Sequence, residues 1–218
     1  MGKRQNNGRV LTVRPTDILE KEHRIIEQVI SCLEKMTDLS GKQKKLDCDS
    51  AREMIEFFRA FADRFHHAKE EKHLFACLES HGMPREGGPT GVMMMEHDLG
   101  RGFVGEMDAA VFAYEKGDAA ALGDFGAASR AYVSLLREHI QKEDHCLFAM
   151  VNENLSDEEQ ARLLAEFLAE ERQCLGDKPS DYYSKKAAAL GERFQVTLGS
   201  FTGCAASCCH SETGACGG

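Results

Sequence analysis

Two stretches of the chain, His66-His67-Ala68-Lys69-Glu70-Glu71-Lys72-His73-Leu74-Phe75 and His139-Ile140-Gln141-Lys142-Glu143-Asp144-His145-Cys146-Leu147-Phe148, share one pattern: His-x-x-x-Glu-acid-x-x-Leu-Phe. On an α-helix, positions i and i+4 lie on one face about one turn apart, so each stretch offers an imidazole nitrogen and a carboxylate to a common point. A carboxylate has two oxygens and can span two cations, whereas an imidazole serves one. Two such helices therefore supply two bridging carboxylates, Glu70 and Glu143, with His66 and His139 beside them. His23 and His97, each on the apolar stripe of another helical segment, bring the set to four histidines and two glutamates. Imidazole and carboxylate donors without thiolate suit iron or manganese.

Taken singly, His23 or His97 would read as a hydrogen-bonded core histidine. The pairs decide otherwise. Two carboxylates on inward faces, with only Arg101 as a cationic neighbour on the stripe, are costly to bury unless cations satisfy them. His67 with Glu71 would replace His66 with Glu70 if the register slipped by one; Leu74 and Ile55 share the stripe of His66 and favour the latter pair. Tyr132, two turns before His139, reads as a core aromatic, and Arg101, one turn after His97, is placed to hydrogen-bond a bridging carboxylate. His73, His81 and His145 read as boundary or solvent-side residues, and Met93-Met94-Met95 as helix core and cover.

The elements that must position these groups are all helical, because apolar residues recur at helical spacing and strand signals are nearly absent. A first helix follows Pro15 with Thr16 as N-cap and stops near Gly41. A long second one starts at Asp47 or Asp49 and ends at Ser80 before His81-Gly82. A third spans about 91–116, closed by Gly117 in the left-handed conformation, and a fourth runs to about Glu153. Ser156 with Glu159 forms a capping box for a fifth helix to about Leu175, and a short sixth follows Pro179. The expected architecture is an all-α, up-down four-helix bundle over 16–155, with a flexible N-terminus at 1–15, additional C-terminal helices packed on the bundle at 156–198, and a Cys-rich flexible tail at 199–218. Depth agrees within each set: His23 and His97 lie about two turns inside their helix starts, and both His-x-x-x-Glu pairs about three to four turns before their helix ends, an offset for ligand reach, fraying and helix tilt to absorb.

At 218 residues the chain has room for one sizeable core with something appended, and its net charge of -9 offers no extended basic surface for nucleic acid. Met1 to Val13 lacks an apolar signal segment and no run approaches bilayer length, which predicts a cytoplasmic protein with no membrane partner. Of nine cysteines, five (Cys32, Cys48, Cys77, Cys146, Cys174) fall within helical patterns and read as small buried hydrophobes. The other four, Cys204, Cys208, Cys209 and Cys216, lie with His210 in the tail. Thiolates at that density can bind a soft metal or an iron-sulfur cluster, although the spacing fits no established motif and a reduced tail fits as well.

Together, Glu22-His23-Arg24, Phe61-Ala62-Asp63 leading into His66-x-x-x-Glu70-Glu71, Gly82 through Gly88, Glu96-His97 with Arg101, and His139-x-x-x-Glu143-Asp144 resemble bacterial hemerythrin-like proteins of the HHE cation-binding type, from about Thr16 to Leu175. The resemblance implies two non-haem iron ions, oxo- or hydroxo-bridged, held by His23, His66, Glu70, His97, His139 and Glu143, with Glu70 and Glu143 bridging. Ala76 and Ala149 stand where such proteins often carry proline, a change of helix bend rather than of ligand. Oxygen-carrying hemerythrins use one histidine more than this set, which argues against simple oxygen carriage. Two function classes follow. One is redox or nitrosative defence, in which O2, peroxide or nitric oxide is bound or reduced with electrons from a donor protein. The other is an O2, NO or iron sensor or binder without turnover.

Overall fold

A computed structural model describes residues 13–176, 178–179 and 181–197; the cysteines of the tail lie outside the described residues. Six helices account for almost all of the described chain. Helix α1 is Pro15–Gln43. Helix α2 begins as Cys48–Phe57, widens into π-helical turns over Phe58–His67 and Glu70–Leu74, and ends as Phe75–Ser80. Helix α3 is Pro89–Glu115. Helix α4 runs through Ala121–Lys142, a π-helical turn at Glu143–Leu147 and Phe148–Asn154. Helices α5, Asp157–Leu175, and α6, Tyr182–Phe194, complete the chain.

Local chemistry sets the ends. Pro15 takes the first position of α1, where its missing N–H costs nothing, so Arg14 is the cap and Thr16 is not. Thr16 is instead fully buried and donates to Asn152 Oδ1 at 3.1 Å, tying the start of α1 to the end of α4. The helix passes Gly41 and stops where Lys44 adopts φ 54°. Asp47, not Asp49, caps α2 by accepting from the Ser50 amide at 3.1 Å. Pro89 starts α3 two residues ahead of the expected Gly91, and Gly117, at φ 97°, follows its end in a conformation that costs glycine nothing. Ser156 and Glu159 form the expected capping box.

Leu19 near the start of α1, Leu74 and Phe75 near the end of α2, Met93 near the start of α3 and Leu147 near the end of α4 share one buried apolar cluster. Starts of α1 and α3 therefore meet ends of α2 and α4, the up-down arrangement. A second cluster, with Ile26, Phe58, Ala62, Val104 and Leu136, fills the bundle on the other side of the histidine level. The polar centre thus lies between two dry layers. Helix α5 packs on α1 and α2, and α6 on α1, with Tyr183 of α6 also 4.9 Å from Phe61 of α2 between ring centroids. Of the five helical cysteines only Cys32 is buried; Cys48, Cys77, Cys146 and Cys174 are half-buried, because they sit at helix flanks rather than on the inward stripe. Among the described residues no helix is long and apolar enough to cross a membrane.

Candidate metal centre

The structure brings His23, His66, Glu70, His97, His139 and Glu143 into one buried cluster, none more than 1% exposed. It adds a seventh member. His67, 5% exposed, joins Glu70, His97 and His139 in one group of donors, while His23, His66, Glu70 and Glu143 form another; within each group the donor atoms lie within 4.8 Å of one another. Glu70 belongs to both. Its Oε1 stands 3.4 Å from His66 Nε2 and its Oε2 stands 3.5 Å from His97 Nε2, so the two oxygens face different groups. Glu143 Oε2 lies 3.3 Å from both His23 Nε2 and His139 Nε2. The rings of His67 and His97 stack at 3.7 Å between centroids.

His66 and His67 do not compete for one place, as a strict α-helical register would require. Successive residues of an α-helix point about 100° apart. The π-helical turns of α2 hold more residues per turn and bring adjacent side chains closer in direction, so both imidazoles enter the bundle. Ile140 occupies the corresponding place after His139, which is why the histidines divide three and two.

Four of the five imidazoles are held from behind by a carboxylate of a neighbouring helix. Glu22 of α1 accepts from His66 Nδ1 at 2.9 Å, Glu71 of α2 from His97 Nδ1 at 2.7 Å, Glu96 of α3 from His139 Nδ1 at 3.0 Å, and Asp144 of α4 from His23 Nδ1 at 2.6 Å. The clamps run once round the bundle. A cation backs each one: Lys69 on Glu22, Arg101 on Glu71, Lys142 on Glu96 and Arg24 on Asp144. His67 Nδ1 faces Asp63 at 3.7 Å, and Asp63 in turn accepts from Arg101 Nε at 2.8 Å. A carboxylate only accepts, so the Nδ1 nitrogens carry protons and the Nε2 atoms of His23, His66, His97 and His139 face inward, where a cation would take the place of any proton they hold. Arg101 therefore serves the outer carboxylates and not the bridging ones.

Electrostatics follow from this layering. Burial, and then the nearby Glu143, push the Glu70 carboxyl well above the usual range. Burial would do the same to Glu143, but His139 and His23 hold it well below. Burial alone would lower His139, yet Glu143 and Glu96 raise it to about 9, while burial followed by repulsion from His23 drives His66 well below its ordinary value. Further out, burial would raise Glu71 and Asp63, but His97 and Arg101 hold the first, and His67 and Arg101 the second, at about 2. Both oxygens of Glu70, both of Glu143 and His23 Nε2 are buried without a hydrogen-bond partner. Such atoms are expensive to bury, and a cation between them would satisfy all five.

The family model of the hemerythrin HHE cation binding domain matches residues 14–151, well over half of the chain and every member of the cluster. The chain belongs to that family. No curated protein and no solved structure matches it. As a hemerythrin HHE domain it is a cation-binding protein, and the buried histidine and glutamate cluster is where its donors converge. Six of the seven clustered residues could be named from helical spacing. His67 stood outside the expected set, as a substitute for His66 or an additional residue completing one iron's shell, although its acids at i−4 and i+4, Asp63 and Glu71, were visible. The four clamps were missed too, although each adjoins a core residue in sequence: Glu22-His23, Glu70-Glu71, Glu96-His97 and Glu143-Asp144.

Proposed function

We propose that the centre holds two iron ions, one at His23 and His66, the other at His67, His97 and His139, with Glu70 and Glu143 joining them. The observation that carries this reading is the shared Glu70, whose two oxygens face the two donor groups. Bound there, the iron pair supplies redox-active Lewis acids able to take up O2, peroxide or nitric oxide. The protein's own part is to hold four of the imidazoles in one tautomer through the carboxylate clamps and to enclose the donors between the two apolar clusters. We read the function as binding or reducing these small molecules, with a donor protein as the source of electrons.

The fifth histidine changes the balance between turnover and capture. Four imidazoles would make the two ends alike; five make them different and match the histidine count of the oxygen-carrying relatives that the resemblance brought in. His67 therefore favours, as second reading, reversible uptake of O2 or NO in storage or sensing. The test is metal analysis of the purified protein, followed by optical spectra of its reduced form after separate additions of O2, peroxide and NO. About two irons per chain are expected, with a spectral response to at least one addition. Iron content unchanged by both Glu70→Ala and His139→Ala, or a reduced form inert to all three, would sink the reading.

A further inference from the structure

Beside the three-histidine group lies a cavity of about 270 Å³ between α2, α3 and α4. Imidazoles of His67, His97 and His139 form its inner end, and Phe58, Val104, Tyr132 and Leu136 supply apolar wall. Half-exposed Arg59, Asp63 and Arg101 mark its mouth. A diatomic needs only a fraction of this space. An apolar cavity of about 150 Å³ already takes benzene, so this one holds a ring with a short side chain or a second fused ring.

Charge narrows the class. Arg59 donates to Asp108 at 2.9 Å, and Arg101 donates to Asp63 at 2.8 Å and Glu71 at 2.6 Å, so the cations at the mouth are already paired. An anion would have to break those pairs and then lose its water against aromatic and aliphatic walls. Gly100 supplies an independent observation. A Cβ there would sit 3.6 Å from Tyr132 Cε2 and 3.9 Å from Leu135 Cδ2, ordinary contact distances, so close helix packing does not demand glycine. What the missing side chain leaves is open space in the cavity that Gly100 lines.

We propose that this cavity binds an uncharged, mainly apolar organic molecule, the size of a bicyclic aromatic, packed against His67, His97 and His139. This deepens the proposed function and rests on it for the chemistry at those imidazoles, since an occupant there would stand next to one of the two metal positions.

The chain contains no Trp, so indole can be followed by its own fluorescence when titrated into the full-length, metal-bearing protein. Saturable binding is expected with a Kd below about 1 mM. Gly100→Leu should weaken it at least about tenfold while helix content and metal content stay at wild-type levels. Leu135→Ala, which widens the wall, should retain indole and admit a bulkier 3-substituted indole that the wild type excludes. Indole-3-carboxylate should bind far more weakly than indole. Absence of saturable indole binding, equal binding of the carboxylate, or unchanged binding in Gly100→Leu overturns the assignment. Metal content measured on the same samples separates the two claims: indole bound in the cavity of a protein without iron would refute the iron reading and leave the pocket standing.

Discussion

Glu70 bears most of the cost of the centre. Both of its oxygens are buried without hydrogen-bond partners, and burial and Glu143 push its carboxyl well above the usual range. Glu70→Met should lose metal yet stabilise the metal-free chain by about 1–3 kcal/mol, because replacing a buried ionisable group with an apolar side chain of similar volume removes a desolvation cost. Urea unfolding of chelated samples checks this, and a metal-free variant less stable than wild type would show that Glu70 has partners of its own. Glu71 plays the opposite part, holding His97 at 2.7 Å with Arg101 behind it. Glu71→Gln should leave the fold intact and weaken metal binding about 10- to 100-fold, the usual cost of loosening an outer partner of a ligating histidine. The inward donors were legible because i and i+4 fall on one face. Their clamps were not, since a residue next to a ligand points to the adjacent helix, and which helix lies there is a tertiary fact.

At the scale of the helix, the sequence shows periods and punctuation but not departures from the period. The Ser156–Glu159 box, Gly117 and the acid-capped start of α2 were all readable, because each acts through neighbours within four residues. The π-helical turns in α2 and α4 were not, and with them went His67. The Phe58–His67 turns of α2 pack against α1, α3 and α5, which no local propensity encodes. Helix α5 offers a separable test. Ser156→Ala removes the oxygen that accepts from the Glu159 amide and should cost about 1 kcal/mol of stability. It should leave metal content unchanged, since the α5 acids Glu166 and Glu170 meet α2 at Lys72 and His73, on its outer side and not at the clustered donors. A loss of metal in Ser156→Ala would make α5 part of the site's support rather than a cover.

For the molecule as a whole, the centre is a place where protons and metal cations compete for the same buried donors. Without metal, His139, raised to about 9, holds a proton near neutral pH, and Glu70 keeps its proton to well above the ordinary carboxyl range. Both protons must leave before these groups can ligate. Metal uptake should therefore release protons, and affinity should rise with pH. Stability follows with a definite sign. A histidine whose folded value lies above its unfolded one contributes stability that is fully present below about 6.5 and lost as pH rises through about 9. The raised Glu70 adds a loss of the same sign, beginning above the ordinary carboxyl range near 4.5. The metal-free chain should thus weaken from pH 6.5 towards 9 while the loaded chain, whose donors are already deprotonated, changes little, and the gap between their melting temperatures should widen across that window. Calorimetric titration of ferrous iron into the chelated protein, in two buffers of different ionisation enthalpy, counts the protons directly. A count of zero would mean that the donors stand deprotonated in the empty centre, and that the dry layers around them admit enough water to solvate two free carboxylates.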